Sequence, residues 1–214
     1  FPTFKRGLKM LANPVTTIGM DFETRLKMDW LSRRAEQNEI IKDFLLDKIY
    51  YHQPEIDVAY SKDFLRNLTY EDLLELAIGC VNKDIAITLG HGSDFSDKSD
   101  AKFTTSNFRN NHVLRGMWTH SFAVPGTKHK EGLVRICGYN TIDKQFYFFC
   151  IPADKVNGKL EIVIHYKGGV FEEPDLNYRP ERHRKWWDYE CASFEEMSSI
   201  TTPPNKINKL FQIT

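Results

Sequence analysis

The chain has 214 residues, of which 41% are apolar and 13% aromatic, and its 29 Lys and Arg balance 29 Asp and Glu. This composition excludes a disordered chain, is ample for one compact domain spanning 1–214, and gives no global field that would by itself draw the protein to nucleic acid. No window approaches the roughly 18 uninterrupted apolar residues of a membrane span, and the opening FPTFKRGLKMLANP lacks an apolar signal core, so the expectation is a soluble, cytoplasmic protein without a membrane partner.

In chain order, residues 21–51 read as a long amphipathic helix or two, because Leu31, Ala35, Ile41, Phe44, Leu45 and Ile49 recur at helical spacing before HQPEID breaks the pattern. A second helix starts at about Thr69, where Thr69 and Asp72 have capping-box spacing, and runs through Leu73, Leu74, Ala77 and Ile78. After the strand-like AKFTTS comes RNNHVLRGMWTHSFAVPGTKHKE, which has no clear period and reads as a long loop. GLVRICGYN and QFYFFCIP, joined by TIDK, predict a hairpin whose second strand is apolar on both faces, and KLEIVIHY alternates as a further strand. Residues 171–214, with four prolines, read as irregular chain with a short helix near SFEEMSSI, and form a candidate DNA-contacting or dimerisation extension. The fold class expected is α/β of the mixed α+β kind, a central mixed sheet flanked by helices. Cys80, Cys137, Cys150 and Cys191 are too widely spaced for a zinc knuckle and read as buried, reduced thiols.

The most informative stretch is GSDFSDKSDAKFTT, residues 92–105, with Asp94, Asp97 and Asp100 at intervals of three. An EF-hand loop beginning at Asp94 would place ligands or glycine where Ser96, Lys98, Ser99 and Thr105 stand, so a calcium loop of that type fails. A solvated loop or a catalytic metal site remains. In a strand, Asp100 and Lys102 share one face while Ala101 points into packing. That face pairs a hard oxygen donor suited to Mg²⁺ with an ammonium able to orient or deprotonate a water, a combination useful in phosphodiester hydrolysis. A second carboxylate is needed, and Asp94, six residues earlier across a short turn, can supply it.

SDFSDKSDAK resembles the motif of the PD-(D/E)xK nucleases, the superfamily of many type II restriction endonucleases and mismatch-repair nicking enzymes. Asp94 stands for the first acid, Asp100 for the second and Lys102 for the lysine. The sequence departs from the pattern in having no Pro before Asp94 and Asp in place of the commoner Glu at position 100. Asp84, sixteen residues before Asp100, and Asp97 are the alternative first acids, ranked in that order. The resemblance implies a restriction-endonuclease-like fold, Mg²⁺ held by Asp94 and Asp100, and cleavage of double-stranded DNA. It also implies a homodimer, since two-fold symmetry suits a palindromic site. In the family an acid on a preceding helix commonly faces the same metal. Glu36, four residues before Ile40 and eight before Phe44, heads an apolar stripe and is expected to face the core, with pairing to Arg33 or Arg34 as the alternative.

For DNA contact, Arg109, Asn110, Asn111 and Arg115 offer donors that suit base edges, while Lys128, Lys130, Arg182 and Arg184 lie in locally basic stretches suited to phosphates, with Trp186 and Trp187 either stacking or in the core. His112, His120 and His129 raise an HNH-type histidine-metal nuclease, but no helix follows them in the pattern such a site needs. No G-x-S-x-G, G-x-G-x-x-G or Walker loop is present. The sequence therefore predicts a Mg²⁺-dependent DNA endonuclease, with a non-catalytic DNA-binding or interaction protein as the other reading.

Overall fold

A computed structural model describes residues 22–89, 92–114, 117–125, 131–141, 143–156, 158, 160–167 and 186–201, with side chains outside the description at 22–30, 107–120 and 165–167. Helix α1, Phe22–His52, is the long helix expected, and it buries Ile41, Leu45, Leu46 and Ile49. Pro54 disfavours the helical region for Gln53 and ends it. The chain divides into two compact units at Asp43 within this helix, the first covering residues 1–43 and the second 44–214.

Two short helices, α2 (Ile56–Ala59) and α3 (Lys62–Asn67), lead to α4, Tyr70–Val81. The capping box is formed in both directions: the Thr69 hydroxyl accepts from the Asp72 amide at 3.1 Å, and the Thr69 amide donates to Asp72 Oδ2 at 3.3 Å. Two otherwise orphaned N–H groups are satisfied, so α4 begins where the sequence says it should. Its Leu73, Leu74, Ala77 and Ile78 are fully buried.

Strands β1 (Asp100–Leu114), β2 (Met117–Val124), β3 (Leu133–Tyr139), β4 (Phe146–Pro152), β5 (Leu160–Lys167) and β6 (Glu190–Cys191) form one sheet in the order β5-β2-β1-β3-β4-β6. Among the described strands only β1 and β3 pair in parallel; the other neighbours are antiparallel, so the sheet is mixed and the class is α+β. β3 is buried at every position, and β4, the strand expected to be apolar on both faces, is buried at all but Phe146 and Phe148, which are partly buried. Gly138 within it meets the Phe122 ring: a Cβ there would lie 2.9 Å from a ring carbon, so only glycine lets β2 pack this closely. A last helix, α5 (Phe194–Ser199), is capped by Ser193, whose hydroxyl accepts from the Glu196 amide at 3.0 Å.

One expectation is overturned here. Much of the segment after residue 106 is strand, not loop: β1 continues to Leu114 and β2 pairs with β5 along its whole length, from Met117 opposite Lys167 to Val124 opposite Leu160. FRNNHVL shows no alternating pattern in the sequence, and it is strand through its backbone pairing with β2. All four cysteines are free and buried; burial raises the thiol pKa of Cys80 and Cys137, and pushes that of Cys150 up to about 11, which suits packing and not nucleophilic chemistry. Among the described residues no helix is long and apolar enough to cross a membrane.

Candidate active site

The aspartate stretch folds as a closed turn leading into β1. Residues 85–89 run antiparallel to it through an Ile87–Phe95 bridge, with Thr88 N donating to Asp94 O at 2.9 Å and Ser96 N to Ala86 O at 2.8 Å. The turn itself closes through Phe95 N to Ser99 O at 3.1 Å and Lys98 N to Phe95 O at 3.0 Å, with Lys98 at a φ of 63°. Phe95 is wholly buried beneath it. This anchoring returns Asp94 to the start of the strand: its Oδ2 accepts from the Ala101 amide at 2.7 Å. The same oxygen lies 3.8 Å from Lys102 Nζ. Asp94 and the Asp100–Ala101–Lys102 triplet are therefore brought together by backbone closure.

Asp100 is buried, with 7% exposure, and begins the β1–β3 ladder opposite Val134. Regular pairing from Asp100 to Thr105 means that Asp100 and Lys102 share one face. Lys102 Nζ also lies 3.9 Å from Glu71 Oε1 on α4. Both Lys102 contacts are ion pairs longer than hydrogen bonds, leaving room around the ammonium for a water.

Glu71 and Glu75, one turn apart on α4, are the site residues that sequence reasoning missed. Burial, followed by repulsion from Asp94, raises the Glu75 carboxyl to about 7, with Asp72 and Glu71 adding to the rise and Lys102 opposing it. Their signal in the sequence is the acid pair at i and i+4, unfavourable on a helix by itself, directly beside the buried Leu74 and Ile78 row and on the helix that precedes the motif.

Asp84 is exposed, and its amide donates to Asn82 Oδ1 at 3.1 Å. Asp97 turns inward: Oδ1 accepts from the Ser99 amide at 3.0 Å and Oδ2 from Arg135 Nη2 at 2.8 Å. Glu36, expected to face the core, is instead exposed. The buried stripe runs through Ile41, Leu45 and Ile49, and Glu36 is nine residues from Leu45, about half a turn around the helix. Arg109, Asn110 and Asn111 lie on β1 and His112 and His120 on β1 and β2, with side chains outside the description. Arg115, Lys128, His129, Lys130, Arg182 and Arg184 lie outside the described residues. Trp187, a candidate for stacking on bases, is core: it is 4% exposed, donates from Nε1 to Val163 O at 3.1 Å, and packs edge-on against Phe149 and Tyr147, with Trp186 partly buried against the same cluster.

Among the described residues no group of three or more His, Cys, Asp or Glu is arranged to hold a metal ion. Mg²⁺ is commonly bound by one or two carboxylates, with waters and substrate phosphates completing the octahedron, and Asp94 and Asp100 are a donor pair of that chemistry. No family model matches the chain, and neither the curated proteins nor the solved structures contain a match to it.

Proposed function

We propose that the protein is a Mg²⁺-dependent DNA endonuclease of the restriction type, with a restriction-endonuclease-like arrangement of its sheet, acting in the cytoplasm as a homodimer on double-stranded DNA. The observation that carries the reading is the seating of the Asp94 carboxylate on the Ala101 amide, 3.8 Å from the Lys102 ammonium. Asp94 and Lys102 thus meet at the start of the strand that carries Asp100. Asp94 and Asp100 would hold Mg²⁺, which when bound stabilises charge on the scissile phosphate and acidifies its water. Lys102, at 20% side-chain exposure and tethered between Asp94 and Glu71, orients the attacking water and shuttles its proton. Glu75 takes up or releases a proton near neutral pH beside them. Arg109, Asn110 and Asn111 lie on β1, and side chains of these types suit guanine and adenine edges in the major groove.

Incubation of plasmid DNA with the protein and Mg²⁺ tests the reading. Discrete fragments are expected, with cleavage lowered about 10²- to 10⁴-fold in Asp100→Ala and Lys102→Ala. A plasmid left intact by the wild-type protein across a range of salt and of divalent metals would leave a non-catalytic DNA-binding protein, with Lys102 as a structural counter-ion.

A further inference from the structure

Arg135 lies on β3, the strand paired in parallel with the motif strand, and its side chain is fully buried. Its guanidinium is divided between two elements. Nη2 donates to Asp97 Oδ2 at 2.8 Å, while Nη1 donates to the carbonyls of Met197 at 2.9 Å and Ile200 at 2.6 Å at the end of α5. A guanidinium cannot relieve burial by losing its proton, so its partners must stay where its fork directs them.

We propose that Arg135 and Asp97 are a positioning pair that holds the turn between Asp94 and Asp100, and through it the Asp94 carboxylate, in register with β1. Asp97 is bonded on both oxygens, one to the Ser99 amide at 3.0 Å and one to Arg135. The turn it occupies has no slack, because Phe95 is buried below it and Gly132 presses on it from the side: a Cβ on Gly132 would fall 2.3 Å from Lys98 O. Asp94 directly precedes Phe95, so releasing Asp97 loosens the segment that aims Asp94 Oδ2 at the Ala101 amide. Arg135 touches no reacting atom. It acts through Asp97 and also makes the geometry of the candidate site depend on α5 being docked. The functional consequence rests on the nuclease reading, whereas the positioning itself does not.

The test is residue-resolved amide hydrogen exchange on the full chain without metal, comparing the wild type with Asp97→Asn, which keeps one acceptor and so sets an amide donor against either the guanidinium or the Ser99 amide. Exchange at Ala101 is expected to rise at least tenfold. Ile162→Val, a mild destabilisation in β5, should leave it unchanged. Arg135→Lys, which keeps the cation but loses the fork, should fall between wild type and Asp97→Asn, a grading that simple destabilisation would not give. If the nuclease reading holds, Mg²⁺ affinity measured by calorimetry falls about 10- to 100-fold in Asp97→Asn, and kcat falls while KM for DNA is retained. A folded Asp97→Asn protein with wild-type exchange at Ala101 overturns the proposal. A wild type that neither binds Mg²⁺ nor cuts DNA overturns the nuclease reading alone, because the Ala101 rate still decides the positioning.

Discussion

On its inner side the turn from Asp94 to Asp100 is held by Asp97 on a guanidinium with no exposure and by Phe95 with none. On its outer side Asp94 keeps 23% side-chain exposure, Lys102 20%, and Glu71 nearly half of its own. The two sides use the same carboxylate chemistry three residues apart, and Asp97 at 19% side-chain exposure is nearly as open as Asp94, yet Asp97 meets its cation at 2.8 Å whereas on the outer side the lysine is left at 3.8 to 3.9 Å from its acids. A guanidinium with no exposure must be paired closely or the fold suffers; an ammonium at 20% exposure can stay loosely paired and available. The inner contacts build the turn, and the outer side chains are what the turn presents.

The largest effect expected is on the inner side. Phe95→Ala removes a wholly buried ring and should lower stability by about 3 to 5 kcal/mol in chemical denaturation; a loss under about 1 kcal/mol would mean that the turn does not depend on its buried anchor. Gly132→Ala comes next. Gly132 has a φ of 79°, and its Cβ would collide with Lys98 O, so a loss of about 2 to 3 kcal/mol is expected from strain and displacement of the turn. Thermal melts matching the wild type would show that the strand and turn are not pressed together there.

The smallest effect lies on the outer side and has the opposite sign. The Glu75 carboxyl rises from about 4.5 to about 7 on folding, chiefly by burial and then by Asp94. The folded state therefore holds a proton that the unfolded chain releases, and this contribution to stability is present below pH 4.5, is lost as pH rises through 7, and stays lost above it. Glu75→Gln should be more stable than the wild type at pH 8 by about 1 kcal/mol, after allowing for solvent screening of a half-exposed group, and indistinguishable from it at pH 4. Equal melting temperatures at both pH values would remove the electrostatic tension assigned to the outer side.

Elements specified by neighbours in the chain were legible in the sequence. The Thr69–Asp72 box marks the start of α4, the apolar runs give β3 and β4 as a hairpin, and KLEIVIHY gives β5, because caps, periodicity and short turns act over a few residues. The distal half of β1 was not legible, since FRNNHVL is strand by virtue of its pairing with β2. Asp94 could be singled out as an acid near Asp100 because the intervening chain is so short.

The choice of helical acid shows where such reasoning stops. Glu36 shares a face with Ile40 and Phe44, half a turn from the stripe Ile41, Leu45 and Ile49 that is buried, whereas Glu75 borders the buried Leu74 and Ile78; a helical period fixes only which residues share a face. The direction in which that face points depends on packing against other elements. Glu36 proves exposed, while Glu71 and Glu75 stand beside Lys102 and Asp94. Likewise Asp94, Asp97 and Asp100 are alike in the sequence, and only the buried guanidinium of Arg135, 38 residues from Asp97 along the chain, draws the middle one inward. The sequence by itself determined the elements marked by caps, apolar periodicity and short turns, and the close succession of the three aspartates, because those rest on local backbone preferences. Tertiary structure decided which carboxylates meet the lysine, because that rests on which faces are buried together.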